Sequence, residues 1–460
     1  MNCRKITECK ELAAANKRVK ELAEENRILK YDLAEMRNKW FSRKSRKREE
    51  KTEAEELQSK KRGAPIGHPG WFRKRPAQID KVKELYPEIC PECGSHNVKN
   101  CEGKTEEHIQ EDIVIPRVKA TKYVHHYGYC KDCHNVFCPK GEDELLRAYI
   151  GPTAKAFAVY LKYDIKVSDR DIQRLFGKMF QLKVDPSSIP GFRNQLTRAG
   201  YPLYEDLLKE LRKSSVVNAD ETGWSLDGEN HWLWNFSTPK LSLTHIDPSR
   251  GQKVVERILG EKFDGILVSD FLGAYDKIEA RAKQKCIIHL NRDLKKAEEC
   301  YGEDNLIQGY CGRLKDLFDR AIELKDAWLE NDISGEPFGK KREGLVAELK
   351  DFHYPNPQKG ILQTISKRLI KHKDHLFTFL YHKDVPSHNN HAEQQIRPHV
   401  LLRKITFCNR SLKGIMNHSV LSSIVQTCNL NQQDPLKMLK RVLLADKAEK
   451  EQLLYFIRSP

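Results

Sequence analysis

The sequence predicts a multidomain α+β chain: helical and metal-binding segments lead into a mixed α/β core that a helical insertion interrupts. Three observations predict it. Leu12, Ala15, Val19, Leu22, Asn26, Leu29, Leu33 and Met36 recur in alternating steps of three and four. Two Cys-x-x-Cys pairs, Cys90/Cys93 and Cys130/Cys133, bracket an alternating β-rich stretch. From residue 213 onward, apolar runs rich in β-branched residues alternate with helical patterns.

The chain has 460 residues, more than one hydrophobic core usually serves, and a formal net charge of +16. Such an excess of Lys and Arg favours a polyanionic partner. No apolar run approaches the ~20 residues that span a bilayer, and "MNCRKITECKELAAANK" lacks the apolar core of a secretory signal. Nucleic acid is therefore the expected partner, with no membrane, in the cytoplasm at the bacterial nucleoid. The 13 cysteines are an odd count in a large basic chain, which speaks against a disulfide framework and for a reducing compartment.

Residues 1–59 form the first segment. The heptad seam predicts a coiled coil over 10–40 and at least a dimer, and Asn26 at an a position favours two strands in fixed register. A single amphipathic helix packed on its own domain is the other reading. The basic block Lys39, Arg43, Lys44, Arg46, Lys47, Arg48 and Lys51 is either a solvated tail or a phosphate contact. Residues 60–85 are a basic Gly/Pro linker, in which Arg73, Lys74 and Arg75 follow Trp71 and Phe72. Residues 86–140 are a zinc ribbon: Cys90, Cys93, Cys130 and Cys133 would give a closed, structural Zn²⁺ site. Cys101, His108, His134 and Cys138 are possible substitute ligands.

Residues 141–212 read as helical. "AYIGPTAKAFAVYLKYDI" is one helix, Ser168 caps "DIQRLFGKMF", and the turn "KVDPSS" leads to "IPGFRNQLTRAG". This is helix-turn-helix-like, with Arg193 and Arg198 facing DNA, or a plain three-helix packing unit.

Residues 213–300 are the first part of the core. Strands are expected at "SSVVNADETGW", "HWLWNFSTP", "LSLTHID", "FDGILVSD" and "KCIIHL", and helices at "SRGQKVVERILGE" and "AYDKIEARAKQ". This order is that of a ribonuclease H-like core. Residues 301–385 are the helical insertion, and 386–460 carry a helix with Glu393 and the C-terminal helices.

Asp220 and Asp270 each end an apolar strand, and Glu393 stands early in its helix. Carboxylates converging from two strands and a helix can hold two Mg²⁺ or Mn²⁺ ions roughly 3.5–4 Å apart, enough to break and rejoin phosphodiesters. Glu221 points to the opposite side of its strand and remains a competitor, and Asp264 and Asp276 lie near. Asn389 and Arg397 share a helical face with Glu393. With Arg403, Lys404 and Arg410 they form a phosphate site or a surface helix with internal ion pairs. Cys286, His289 and Arg292 end the fifth expected strand. His289 either orients a phosphate or fills a core position.

With these pieces in order, the chain resembles transposases of the insertion-sequence sixty-six family. The resemblance rests on "RGAPIGHPG", "CPECGS … YCKDC", "ADETGW", "SDFLGAYD", "CIIHL" and above all "NNHAEQQIRP … RK". Phe271, Leu272, Ile287, Gln394 and "FCNRS" depart from the family pattern. The resemblance implies a DDE recombinase, with Asp220, Asp270 and Glu393 catalytic, and terminal inverted repeats and target DNA as substrates. Two other activities fit the residues: a ribonuclease H-like nuclease without strand transfer, and a non-catalytic zinc-ribbon DNA-binding regulator.

If the basic segments contact phosphates, affinity for duplex DNA falls steeply with salt, by roughly one power of salt concentration per contact. A titration of Kd between low and physiological salt measures this, and a flat response removes those segments from the interface.

Overall fold

The computed structural model describes residues 118–458 except 130, 135, 138, 302–303 and 353–359, with short stretches between 17 and 97. The basic block, most of the Gly/Pro linker, Cys90, Cys93, Cys130 and most of the heptad seam lie outside the described residues. Of the seam, Val19, Leu22 and Asn26 are described; all three are helical and exposed. The chain divides into two compact units, Asn38–Pro116 and the remainder. In the first, the described residues carry neither helix nor strand; a bend at His96 is held by the Asn97 N–H donating to Ser95 Oγ (3.1 Å).

In the second unit, β1 (Gly128–Tyr129) and β2 (Val136–Phe137) pair antiparallel. The turn between them carries Cys133, which is exposed. Three helices follow: α1 (Pro152–Tyr163), α2 (Asp169–Met179) and α3 (Ser188–Arg212). Pro152 opens α1, where its missing N–H costs nothing. Ser168 Oγ accepts the Asp171 N–H at the start of α2, as its spacing predicts. The third helix runs well past the expected "IPGFRNQLTRAG". It buries Ile189, Phe192, Leu196, Leu203, Leu207 and Leu211 along one face. Arg193 is drawn into a bidentate pair with Asp169 (2.7 and 2.9 Å) and joins α3 to α2; Arg198 is exposed.

The sheet comprises β3 (Val216–Leu226), β4 (Glu229–Thr238), β5 (Leu241–Asp247), β6 (Lys262–Ser269) and β7 (Glu279–Lys285), with α4 (Gln252–Leu259) between β5 and β6. Strand order among the described residues is β5-β4-β3-β6-β7. The first three strands are antiparallel, and β6 and β7 run parallel to β3.

Two expectations fail in this stretch. "AYDKIEARAKQ" is a 3₁₀ turn (Gly273–Tyr275) followed by β7, and "KCIIHL" opens a helix, α5 (Ile287–Cys300). Ala, Glu, Lys, Arg and Gln are good helix formers, but pairing beside β6 overrides that local preference. Conversely Ile287, Leu290, Leu294 and Ala297 fall at helical spacing and are wholly buried, which decides for a helix over the β-branched look of "CII".

Alternation along the central strands divides two cores. Val217, Ala219, Phe263 and Leu267 face a core shared with α1, α3, α4 and the C-terminal helices. Residues 141–212 thus pack onto the same core as the sheet. Val216, Ile266 and Val268 face a second core built by α5, α6 (Asn305–Leu329), α7 (Gly335–Asp351) and α8 (Ile361–His372), so the insertion covers that face. The chain then enters α9 (Asn390–Thr406), α10 (Leu412–Leu430), α11 (Pro435–Leu444) and two short helices, α12 (Lys447–Lys450) and α13 (Leu453–Arg458).

Side chains from elsewhere in the chain bond part of the backbone of each outer strand. Ser423 Oγ and Thr427 Oγ1 of α10 accept the N–H groups of Thr244 and Ser242 in β5 (2.8 and 3.2 Å). At β7, Thr378 Oγ1 donates to the Lys283 carbonyl (2.6 Å), and Gln284 bonds Leu376 O and Phe379 N (both 2.8 Å).

A buried polar network joins β5 to α9 and α10. His399 Nδ1 meets His418 Nε2 at 2.9 Å, and His399 Nε2 meets Thr244 Oγ1 and Gln426 Nε2 at 3.1 and 3.0 Å. Burial pushes His399 down to about 3 and holds His418 well below the ordinary histidine value. A folded-state pKa below the unfolded one stabilises above about pH 6.5 and loses that contribution as pH falls. The wild type should therefore lose stability steadily below pH 6.5 in urea denaturation. His399→Gln should be less stable at pH 7 but lose less between pH 6.5 and 4.

Candidate active site: carboxylates at the ends of two strands and a helix

Ala219 and Ser269 are the last registered pair between the parallel strands β3 and β6. Asp220 and Asp270 each follow by one residue, on the face of the sheet that carries Val216, Ile266 and Val268. Asp270 ends its strand as expected, but Asp220 does not: antiparallel pairing with β4 carries β3 on to Leu226. Their carboxylates are held by local backbone: Asp220 Oδ1 accepts the Glu221 N–H and Asp270 Oδ1 the Leu272 N–H, both at 2.9 Å. Among the described residues neither forms an ion pair within 4.0 Å.

The end of β6 is fixed from behind by a lysine. Lys285 Nζ, wholly buried, donates to Asp270 O (2.8 Å) and Ser269 Oγ (3.2 Å) and pairs with Asp276 Oδ1 at 3.0 Å. Asp276 also pairs with Lys371 at 2.6 Å. These cations hold its carboxyl below the usual range against the opposing effect of burial. A charged amine without exposure is tolerable only when so matched. Sequence reading missed Lys285, because nothing in "ARAKQKC" distinguishes it from the surface lysines around it.

Glu393 comes from the first turn of α9. Asn389, the residue before the helix, is wholly buried. Its Nδ2 donates to Ala219 O (2.8 Å), and its backbone N–H reaches Cys286 Sγ (3.2 Å). Ile287 N–H donates to Ser387 O (3.0 Å), closing the insertion at its base. The start of α9 is thereby tied to the end of β3 and the start of α5. Glu393 lies 3.4 Å from Arg292 and 3.8 Å from His289 Nε2.

The three carboxylates sense each other. Burial, then the charges of Glu221 and Asp270, then that of Glu393, push Asp220 up to about 8. Glu221 is also raised, by burial and Asp270. It differs from Asp220 in having partners: Arg250 at 2.7 Å, with the guanidinium 4.2 Å from the centroid of the Trp232 ring, and Tyr275 Oη at 2.8 Å. Tyr275 belongs to the core on the other face, so Glu221 points away from Asp220 as alternation predicts. A cluster of half-buried carboxylates, of which Asp220 and Asp270 have no ion pair among the described residues, is a fitting donor set for hard divalent cations.

The other expected site residues separate. His289 and Arg292 lie beside Glu393. Asn389 turns inward to Ala219, which removes it from any external surface. Arg403 donates to Gly223 O and to Thr222 Oγ1 (3.3 Å), clamping α9 along β3. Arg397, Lys404 and Arg410 are exposed. Cys133 is exposed, and the other three expected zinc ligands lie outside the described residues.

The raised Asp220 pKa has a definite sign. The native state holds this proton more tightly than the unfolded chain between about pH 4 and 8, so ionisation destabilises the fold as pH rises through that window. In EDTA, Asp220→Asn should melt above the wild type at pH 8, by on the order of a few kcal/mol, and the two should converge near pH 4. Mg²⁺ should narrow the gap at pH 8. Equal melting at pH 8 would remove the repulsion.

Comparison with known proteins follows this geometry. An uncharacterized protein, y4qI, of Sinorhizobium fredii (strain NBRC 101917 / NGR234) is 24% identical over 346 residues, 65% of this chain and 59% of the relative. The chain thus spans about three fifths of that protein's length. The model of the family described as "Transposase IS66 family" matches residues 147–417. That stretch includes β3, β6 and the start of α9 with all three carboxylates, and on it the chain belongs to the IS66 family of transposases.

Proposed function

We propose that the chain is a DNA transposase that cleaves element ends and joins them to target DNA, on a ribonuclease H-like core. The observation that carries the reading is the gathering of Asp220, Asp270 and Glu393, each of the last two raising the proton affinity of the first. The family supports the substrate, and the strand order β5-β4-β3-β6-β7, with one carboxylate just past the last residue pair of the parallel strands β3 and β6 on each, supports the fold.

Asp220, Asp270 and Glu393 would hold two Mg²⁺ or Mn²⁺ ions. When bound, these lower the pKa of a water or 3′-hydroxyl and stabilise the departing oxygen. Asp220 gives up its proton to become a full ligand, so cation affinity rises with pH. Asn389 and Lys285 are positioning residues: the first sets the start of the Glu393 helix against β3, the second fixes the backbone of Asp270. Arg292 and His289, beside Glu393, face the scissile phosphate, and Arg397 and Lys404 on the same helix track the DNA backbone.

The two Cys-x-x-Cys pairs of the sequence, Cys90/Cys93 and Cys130/Cys133, support a structural Zn²⁺ ribbon. The exposed Val19 and Leu22 support a homo-oligomer, at least a dimer, through the heptad seam. Among the described residues no helix is long and apolar enough to cross a membrane. The nucleoid within the cytoplasm is the proposed place of action.

Asp220→Asn, Asp270→Asn and Glu393→Gln should each lower metal-dependent nicking of end DNA by on the order of 10³-fold or more, while gel-shift affinity for that DNA is retained. Joining of pre-cleaved ends to target DNA should fall in parallel. Full nicking in any one variant would exclude that residue, and nicking without joining would leave a nuclease.

A further inference from the structure

We propose that Cys286, His289 and Glu393 form a second metal site, selective for a borderline-soft divalent ion of the Zn²⁺ class, that competes with the carboxylate site for Glu393. One ligand atom from each residue lies within 4.8 Å of the other two. Cys286 is the residue before α5 and His289 follows one turn later, so both side chains share a helical face. Glu393 meets them from the first turn of α9. The two helix starts are locked together by Asn389 N–H to Cys286 Sγ (3.2 Å) and Ile287 N–H to Ser387 O (3.0 Å). Bonds of about 2.3 Å to sulfur and 2.0–2.1 Å to nitrogen or oxygen need only small side-chain movements from this spacing.

The donor chemistry sets the selectivity. Thiolate and imidazole suit Zn²⁺ and its neighbours, whereas Mg²⁺ takes oxygen. Several features bear on the ligands. Burial holds the Cys286 thiol above its ordinary value, and the backbone N–H groups of Asn389, His289 and Ile288 offset this only in part, so a bound cation must displace the thiol proton. Burial and Arg292 keep the imidazole neutral, with a lone pair free to bind. His289 Nδ1 is buried without a hydrogen-bond partner among the described residues, and so is Oδ1 of the wholly buried Asn389 next to Cys286. Such orphaned polar atoms are costly unless something meets them. A three-residue set also leaves a fourth position open.

Glu393 cannot serve both sites at full strength. An ion on Cys286 and His289 draws its carboxylate away from Asp220 and Asp270, so zinc-class ions would act as inhibitors. The site goes beyond the transposase reading, and its binding is measurable without any DNA.

The test uses the full chain and metals alone. Zinc content at saturation should be one ion per chain lower in Cys286→Ser and in His289→Gln than in the wild type, with the ions of the Cys90–Cys133 module unchanged. Cobalt substitution should give a thiolate charge-transfer absorption that is partly lost in Cys286→Ser. Melting curves check that each variant is folded; should Cys286→Ser fail that check, His289→Gln decides. Zinc preloading should weaken Mn²⁺ binding to the wild type by about tenfold or more and leave Cys286→Ser unaffected. Equal zinc content in wild type and folded variants overturns the site. Mn²⁺ affinity indifferent to zinc overturns the competition. A chain that takes up the extra ion but cleaves no DNA keeps the site and loses the transposase reading, whereas cleavage without a Cys286-dependent ion does the reverse.

Discussion

The hydrogen bond from the Asn389 side chain to the carbonyl of Ala219 is the constraint on which the rest of the site depends. Asp220 and Asp270 are set side by side by strand register, because parallel pairing of β3 and β6 aligns Ala219 with Ser269, the residues just before them. Glu393 has no such guarantee, since a long helical excursion separates it from both. The buried amide supplies the missing register. It joins the residue before α9 to the last residue of β3 that pairs with β6, and the helix geometry then delivers Glu393 one turn later. A buried amide–carbonyl bond of this kind is costly to leave unmade, which is what makes it a reliable locator. At the other end of α9, Arg403 on Thr222 and Gly223 pins the helix along the same strand.

The charge balance around the site follows from that placement. Five carboxylates surround the point where β3 and β6 stop pairing, and the protein neutralises them selectively. Glu221 receives Arg250 and Tyr275, and Asp276 receives Lys285 and Lys371. Asp220 and Asp270 are left with backbone N–H groups only, and Glu393 with partners at 3.4 and 3.8 Å. Asp220 has no ion pair among the described residues, and burial with the neighbouring carboxylates makes the fold resist its ionisation. Stability is given up where an incoming cation can restore it.

Much of this was legible from sequence. Asp220 and Asp270 announce themselves because each ends an apolar β-branched run, and the side to which Glu221 points follows from alternation. The cap at Ser168 was readable from its spacing to Asp171. What was not legible depends on partners distant in sequence. "AYDKIEARAKQ" has helical composition, yet its place beside β6 makes its second half a strand. Arg193 looks free for DNA until Asp169 is seen against it. Asn389 sits at helical spacing from Glu393, but it precedes the helix and turns toward Ala219. Lys285 reads as one of many basic residues, and only burial marks it out.

Hydroxyls of α10 cover β5, and the segment around Thr378 covers β7. Backbone groups so occupied are closed to pairing with another chain. At Ser242, Thr244 and Lys283 the flanking strands are thus sealed by the protein's own side chains, and the sheet is insulated there from strand addition.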